Sequence, residues 1–319
     1  MNVKITVLDS ATLGYDLDLA PLSDVGTVEI YENTAPGDVA SRIEESDVVI
    51  INKIKLNESN LSKAKKLKLI CIAATGYDNI DIAFCRSANI AVCNVVGYST
   101  QSVSQITVAT VLSLASHLEE HSNTVRSGRY TESGVANSLT PVYHEISGKT
   151  WGIVGYGNIG KQVGKIAEAF GCKVIACRRN PDGNEKYKTL DELCRESDII
   201  TVHTPLNAST KGLISREMIS LMKKEVIFVN AARGAVTDEK ALADAVKEGR
   251  IGALGSDVYS VEPFGKDHPF NEIKELPNVC FTPHMAWGAY EARVRCLGEI
   301  IENIKAFYEG RERCRVDLL

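Results

Sequence analysis

Residues Trp151 to Gly160, WGIVGYGNIG, restrict what this chain can fold into more than any other stretch. A short apolar run, Trp151 to Val154, enters Gly155, Gly157 and Gly160 directly, and a helical pattern from Asn158 to Phe170 starts among the glycines. The order is strand, tight turn, helix. In that order each glycine serves a different purpose, since the first permits the turn, the second lets backbone approach a pyrophosphate, and the third lets helix pack on strand. The unpaired N–H groups of the helix start, at Asn158, Ile159 and Gly160, then hold the phosphates. A second apolar run, Lys173 to Cys177, follows the helix. The context is therefore that of a dinucleotide-binding unit and not of an isolated glycine-rich turn.

The rest of the chain repeats this alternation, and 319 residues leave room for two domains at roughly 100–200 residues each. Ahead of Trp151, runs at Lys4 to Leu8, Thr27 to Tyr31, Asp47 to Ile51, Leu67 to Ala73 and Ile90 to Cys93 read as strands, with helices over Asp38 to Glu45, Ser59 to Lys66 and Ile80 to Ser87. Strands spaced by helices imply a parallel α/β layer structure. This first unit reads as flavodoxin-like, its first strand leading into LDSATLGYD where no glycine loop stands. From Trp151 onward six runs recur, at Trp151 to Val154, Lys173 to Cys177, Ile199 to His203, Val226 to Asn230, Ile251 to Ser256 and Val279 to Thr282, the complement of a full Rossmann domain. Between the two, residues 97–128 carry apolar side chains at helical spacing and predict one long helix, followed by an irregular arm over Arg129 to Lys149. A last helix over Gly288 to Gly310 is expected to return and pack on the first unit.

Composition narrows the function classes. A net charge of -5 offers no basic surface, so nucleic acid is not an expected partner. No apolar stretch is long enough for a membrane span, and MNVKITVLDS does not resemble a signal peptide. Nine cysteines occur without a CxxC pair or a Cys/His cluster at ligand spacing. That pattern predicts reduced thiols, a cytoplasmic protein and no metal site.

The second strand of a dinucleotide-binding domain ends where the adenine ribose is read, and an acidic residue there favours NAD. Here the strand runs CKVIACRRN, with Arg178 and Arg179 in that place and no carboxylate before Asp182. Two guanidinium groups suit the 2′-phosphate of NADP. The expectation is NADP(H), with NAD(H) possible if the basic turn is merely solvated.

Three loops after strands of the second unit carry candidate catalytic residues. In VIFVNAARGAVTDEKAL, Arg233 follows a strand end and is placed to clamp a carboxylate by paired hydrogen bonds. In GSDVYSVEP stand Asp257 and Glu262, and in FTPHMAWGAYEAR His284 lies just past the last strand. Histidine suits proton exchange near neutral pH, and a carboxylate on its second nitrogen, naturally Glu262, fixes its tautomer. Of the other histidines, His203 also follows a core strand, whereas His117, His121, His144 and His268 fall on helix or loop positions and read as structural. In the first unit the loop AATGYDNID ends a strand where open α/β sheets bind ligands. Backbone N–H groups of Thr75, Gly76 and Tyr77 suit an anion nest; the alternative is an ordinary turn with Asp78 or Asn79 capping the next helix.

Taken together, GYGNIG, NAARG, the Asp257 to Glu262 segment before Pro263, TPHMAW and ATGYDNID resemble the D-isomer-specific 2-hydroxyacid dehydrogenases over essentially the whole chain. Within that family GYSTQSVSQITVATVL, INKIKLN and AWGAYEAR are most similar to glycerate dehydrogenases and hydroxypyruvate reductases. The resemblance implies an NAD(P)H-dependent reduction of a small 2-oxo acid to the D-2-hydroxy acid. It implies Arg233 for the carboxylate, His284 as acid/base, Glu262 on His284, and the amides of Thr75, Gly76 and Tyr77 as a second carboxylate hold. It places Asp257 and the tract His203, Thr204 and Pro205 at the cofactor. Lys53 of INKIKLN is a candidate substrate contact or an ordinary loop lysine. It further implies a discontinuous substrate domain, 1–98 with 287–319, a cofactor domain over 99–286, and a homodimer built through the cofactor domain with the 129–149 arm. Two other readings stay open on sequence: a cofactor-sensing corepressor-like protein, and a dehydrogenase of formate or phosphite.

Overall fold

A computed structural model describes residues 3–180 and 183–319. The chain divides into two compact units, Met1–Ser99 with Gly288–Leu319, and Thr100–Trp287.

The first unit is built on five strands: β1 (Lys4–Val7), β2 (Thr27–Ile30), β3 (Val48–Ile51), β4 (Leu69–Ile72) and β5 (Ala91–Cys93). All pair in parallel, in the order β2-β1-β3-β4-β5. That is the flavodoxin-like order, with its switch point between β1 and β3. VVII of β3 and LICI of β4 are buried at every position, because helices cover both faces of a parallel sheet. The helices are shorter than the periodicity predicts: α1 (Val39–Ile43), α2 (Glu58–Leu61) and α3 (Ile82–Ser87). Neither Asp78 nor Asn79 caps α3; Asp81 does, accepting from the Phe84 N–H at 2.9 Å.

In the second unit the stretch predicted as one helix is two, α4 (Thr100–Ala115) and α5 (Leu118–Arg126). The break falls at His117, whose φ of +48° is left-handed and cannot continue a right-handed helix. A short α6 (Arg129–Ser133) follows, and the remainder of the arm to Gly148 holds no further helix or strand. Six parallel strands come next: β6 (Thr150–Val154), β7 (Lys173–Cys177), β8 (Ile199–Val202), β9 (Ile227–Asn230), β10 (Ala253–Ser256) and β11 (Val279–Phe281), in the order β11-β10-β9-β8-β6-β7. Between them run α7 (Asn158–Ala169), α8 (Leu190–Glu196), α9 (Arg216–Ser220) and α10 (Glu239–Lys247). A lone parallel bridge, Ala176 to Tyr187, extends the sheet past β7. The strand order reverses between β6 and β8, and such a switch point opens a crevice at the strands' carboxyl ends. Helix α4 lies so close to β10 that a Cβ on Gly255 would meet Thr110 Cγ2 at 2.5 Å. The buried hydroxyls of Ser104 and Thr107 on α4 donate to carbonyls one turn back, which satisfies them without outside partners.

The chain then returns to the first unit as α11 (Tyr290–Tyr308), which lies against β4. Asn303 donates to the Asn94 carbonyl, and Asp317 accepts from the Val92 N–H at 2.8 Å.

Candidate active site

The glycine turn sits at the switch point of the second sheet. Gly155 has φ +93°, and a Cβ there would lie 2.7 Å from the backbone of His203 and Thr204 at the end of β8. Gly160 is equally committed: its Cβ would fall 2.2 Å from the Gly155 carbonyl oxygen. Gly157 is different. Its backbone is extended and a Cβ would meet nothing within 4 Å, so the fold itself does not require glycine there. A bare backbone facing open space at the start of α7, where the N–H groups of Asn158, Ile159 and Gly160 begin the helix, fits a phosphate group laid against it. Across the turn, both ring nitrogens of His203 are buried with no hydrogen-bond partner among the described residues. Burial pushes that imidazole down to about 3, which keeps it neutral. Orphaned polar atoms of this kind are satisfied when a polar ligand arrives. On both observations the residues fit a dinucleotide.

Two strand ends of the same sheet, those of β10 and β11, meet at His284. Its Nδ1 lies 2.6 Å from Glu262 Oε2, while Glu262 Oε1 accepts from the Tyr259 N–H at 3.0 Å. The carboxylate thereby assigns the Nδ1 proton, and proton exchange falls to Nε2. His284 has φ +54°, a conformation that costs a non-glycine residue roughly 1–3 kcal/mol and clusters at functional sites. The turn around it is held by Asp257, buried at the end of β10. Its Oδ1 accepts from Thr282 Oγ1 at 2.6 Å and the Met285 N–H at 2.9 Å, and its Oδ2 accepts from the Ala286 N–H at 2.9 Å. Hydrogen bonds to a charged group contribute about 1.5–3 kcal/mol each, enough to offset the backbone cost. Burial pushes the Asp257 carboxyl up, against these bonds and the charge of His284. Asp257, expected at the cofactor, thus also organises the turn bearing His284. Arg233 leaves β9 with an extended backbone, and the Asn230 side chain grips both sides of its loop, donating to the Arg233 carbonyl and accepting from the Ala232 N–H, each at 3.0 Å. The Arg233 guanidinium donates to the Ala232 carbonyl at 2.9 Å.

The arginine pair is exposed at the end of β7. Arg178 donates to the Tyr187 hydroxyl at 3.3 Å and lies over that ring at 5.4 Å, and Arg179 reaches Ser209 Oγ at 3.4 Å. Lys186 joins them, its Nζ 3.3 Å from the hydroxyl of Tyr156, the residue between Gly155 and Gly157. Asp182 lies outside the described residues.

The first unit holds its candidates at its own strand ends. The N–H groups of Thr75, Gly76 and Tyr77 donate no hydrogen bond among the described residues, as an anion nest requires. The loop is pinned by Thr75 Oγ1 on the Val95 carbonyl and Asn94 Nδ2 on the Thr75 carbonyl. Lys53 stands exposed on a loop that Asp9 gathers at the β1–β3 switch point: its carboxylate accepts from the N–H groups of Asn52, Lys53 and Ile54 at 2.9, 2.6 and 3.2 Å. Asn79 ties the two loops, donating to the Asn52 and Ile54 carbonyls.

Sequence reasoning missed Asp9, Glu239, His268 and Lys186. The first lies in a stretch that lacks a glycine loop and so draws no notice. Glu239 looks like an ordinary first-turn acid after the cap Asp238, and His268 like a loop histidine. Only contacts between residues distant in sequence give them a role. Among the described residues no group of three or more His, Cys, Asp or Glu side chains could hold a metal, and no helix is long and apolar enough to cross a membrane.

Residues 108–286 match the family described as D-isomer specific 2-hydroxyacid dehydrogenase, NAD binding domain. A hydroxypyruvate reductase of Blautia hydrogenotrophica is 35% identical over 97% of this chain and 98% of that protein. A glycerate dehydrogenase of Methylorubrum extorquens is 34% identical over 98% of each. Among solved structures, an acyclic imino acid reductase in complex with NADPH and D-Arg superposes with a TM-score of 0.88 at 29% identity, covering 98% of this chain and all of that one. With the glycine turn at the switch point, the histidine–carboxylate pair past the ends of β10 and β11 of the same sheet and likeness along nearly the whole length, this chain belongs to the D-isomer-specific 2-hydroxyacid dehydrogenase family, the oxidoreductases of that name.

Proposed function

We propose that this protein reduces a small 2-oxo acid of the hydroxypyruvate and glyoxylate class to the D-2-hydroxy acid, with NADP(H) preferred over NAD(H). The observation that carries the reading is the Glu262–His284 pair at 2.6 Å, beside a strand end that presents Arg233. Relatives named hydroxypyruvate reductase, glycerate dehydrogenase and glyoxylate reductase support the substrate class, and the NADPH in the imino acid reductase structure supports a phosphorylated cofactor.

When bound, the reduced nicotinamide dinucleotide supplies a hydride. The N–H groups at the start of α7, the bare backbone of Gly157, and Arg178 and Arg179 would hold it. Arg233 binds the substrate carboxylate and steadies negative charge as it grows on the carbonyl oxygen, the kind of preorganised electrostatic help that is often the largest catalytic term. His284 gives the Nε2 proton to that oxygen. Glu262 keeps the ring oriented and balances its charge while protonated. In the first unit, taken by itself, the N–H groups of Thr75, Gly76 and Tyr77 form a nest that suits a carboxylate, and Lys53 is exposed on the loop that Asn79 ties to it.

We also propose a homodimer formed through the second unit. Leu118, Val125, Val135, Leu139, Val142 and Tyr143 of α5 and the following arm are all exposed, an apolar concentration that marks an association surface more often than a free one. Light scattering should give twice the chain mass, and L139E with V142E should give the monomer.

The test of activity is the loss of NADPH absorbance, and separately of NADH, on mixing with hydroxypyruvate, glyoxylate, pyruvate or 2-oxoisocaproate. Fast NADPH consumption with either of the first two is expected. A preference for NADH would keep the chemistry and remove the role given to Arg178. No turnover with any pair, despite cofactor binding, would overturn the enzyme reading.

A further inference from the structure

We propose that Glu239 and His268 form a buried clasp that positions the proton-donating pair, Glu262 and His284, relative to Arg233. The proposal rests on the reading of His284 as the proton donor.

Both side chains are almost fully enclosed, at 8% and 7% exposure. Glu239 begins α10, and its carboxylate takes three donors: the Ser260 N–H on Oε1 at 2.8 Å, and the Ser260 hydroxyl and His268 Nε2 on Oε2, the last at 3.0 Å. His268 Nδ1 accepts from the Phe270 N–H at 3.2 Å, so the Nε2 nitrogen carries the ring proton and donates it to Glu239. The ring is walled by Phe264 at 4.7 Å, Phe270 at 5.0 Å and Tyr259 at 6.0 Å between centroids. None of these groups reaches His284. What they grip is Ser260, in the middle of the turn that carries Glu262.

That turn is pressed onto the strand end that bears Arg233. A Cβ on Gly234 would lie 2.0 Å from the Tyr259 carbonyl carbon and 2.1 Å from the Ser260 nitrogen. The backbone at Tyr259 and Ser260 therefore rests directly on the residue after Arg233. Tyr259 then ties the turn to the His284 side: its N–H holds Glu262 Oε1 and its hydroxyl donates to the Thr282 carbonyl at 2.9 Å. One short turn thus touches both chemical groups, and Glu239 with His268 fixes where it sits. A drift of about half an ångström there would tilt Glu262 and carry the His284 ring away from alignment. Three donors on one enclosed carboxylate, in a chain whose other ion pairs are mostly exposed, are more than the cap of α10 needs, since Asp238 already supplies it through the Ala241 N–H.

The test compares E239Q, H268N and H268Q with the parent enzyme and with H284Q. Gln at 239 has one acceptor oxygen where Glu has two, so it cannot take both the Ser260 N–H and the His268 proton, and its amide NH2 faces one of those donors. Asn at 268 keeps an acceptor for the Phe270 N–H and loses the donor to Glu239, whereas Gln keeps that donor. In E239Q and H268N, kcat per folded molecule should fall about 10- to 100-fold, the usual loss when the partner that orients a reacting group is removed. The KM for the 2-oxo acid should stay within about twofold, and the primary deuterium isotope effect from the labelled reduced cofactor should rise. H268Q should retain most of kcat and the parent isotope effect. Parent kcat and isotope effect in folded E239Q and H268N, whatever their melting temperatures, would overturn the proposal. Should E239Q not fold, the two His268 variants decide it. Parent activity in H284Q would remove the proton-donor reading itself, a failure distinguishable from loss of the clasp alone.

Discussion

Two corners of the second unit, both at the carboxyl ends of the same sheet, are built on opposite plans. At the Glu262–His284 corner nearly every polar atom is held by backbone or by an enclosed partner: Asp257 takes three donors, Glu262 is fixed at both oxygens, and Ser260 is clasped from beneath. At the β7 corner Arg178 and Arg179 extend into solvent and rest on long contacts to Tyr187 and Ser209. In the proposed mechanism the first corner holds a proton donor in one geometry, because alignment is worth several powers of ten in rate. The second has only to offer positive charge, and a screened surface charge works over a range of positions. Rigidity is placed where angle matters and omitted where charge suffices.

That contrast predicts effects of very different size. The largest is at His284: H284A should lower kcat by about two to four powers of ten, the range of lost acid/base catalysis. Titration of NADPH should show affinity changed by less than about twofold, because the cofactor is held elsewhere. A variant with parent turnover would break the comparison at its stronger end.

Next comes the glycine turn, which neither corner contains. G157A should fold as well as the parent, since its Cβ meets nothing within 4 Å in the chain. It should bind NADPH about 10- to 100-fold more weakly, because the methyl group enters space that a phosphate would fill, and crowding of that kind costs about 1–3 kcal/mol. Unchanged affinity by calorimetry would mean that the pyrophosphate does not lie on this backbone.

His203, across the same turn, gives an effect on stability. Its imidazole is pushed down to about 3 in the fold against about 6.5 in an open chain. Between those values the unfolded chain binds the extra proton, so stability falls as pH falls through about 6.5 and keeps falling until about 3. From about pH 6.5 to about pH 5 the loss from this residue is roughly 1.5 kcal/mol. Urea unfolding of H203N at both pH values should show that much less acid sensitivity than the parent. Equal slopes would show that His203 does not stay neutral.

How much of this can be read from the sequence depends on range. The glycine turn, the strand alternation and the residues just past strand ends depend on neighbours a few positions apart, and Arg233, Glu262 and His284 follow three adjacent strands, β9, β10 and β11. The stretch 97–128 reads as one helix because its apolar spacing continues through Ser116 and His117, and nothing local marks the left-handed backbone at His117 that divides it. The cap of α3 lies a few residues beyond its expected place, since Asp78, Asn79 and Asp81 are all competent caps and only packing selects among them. Glu239, His268 and Asp9 act through partners between 21 and 45 positions away. No periodicity carries that information.

The smallest effect lies at the second corner, and it bears most directly on the comparison. Arg178 is exposed at the end of β7, donating to the Tyr187 hydroxyl at 3.3 Å and lying over that ring at 5.4 Å. R178D removes attraction for a 2′-phosphate and adds repulsion, and each exposed charge interaction of this kind is worth at most about 1 kcal/mol. The ratio of kcat/KM with NADPH to that with NADH should therefore fall by about tenfold, with kcat on the favoured cofactor and the melting temperature little changed. The shift should shrink in about 0.5 M salt, because an exposed pair is screened over a few ångströms there, whereas the H284A loss should not respond to salt at all. Equal selectivity before and after R178D would move the reading of the ribose to Arg179 or Lys186. A loss of kcat as large as that of H284A would show that the two corners are mechanically coupled, and that the exposed one is not merely a source of charge.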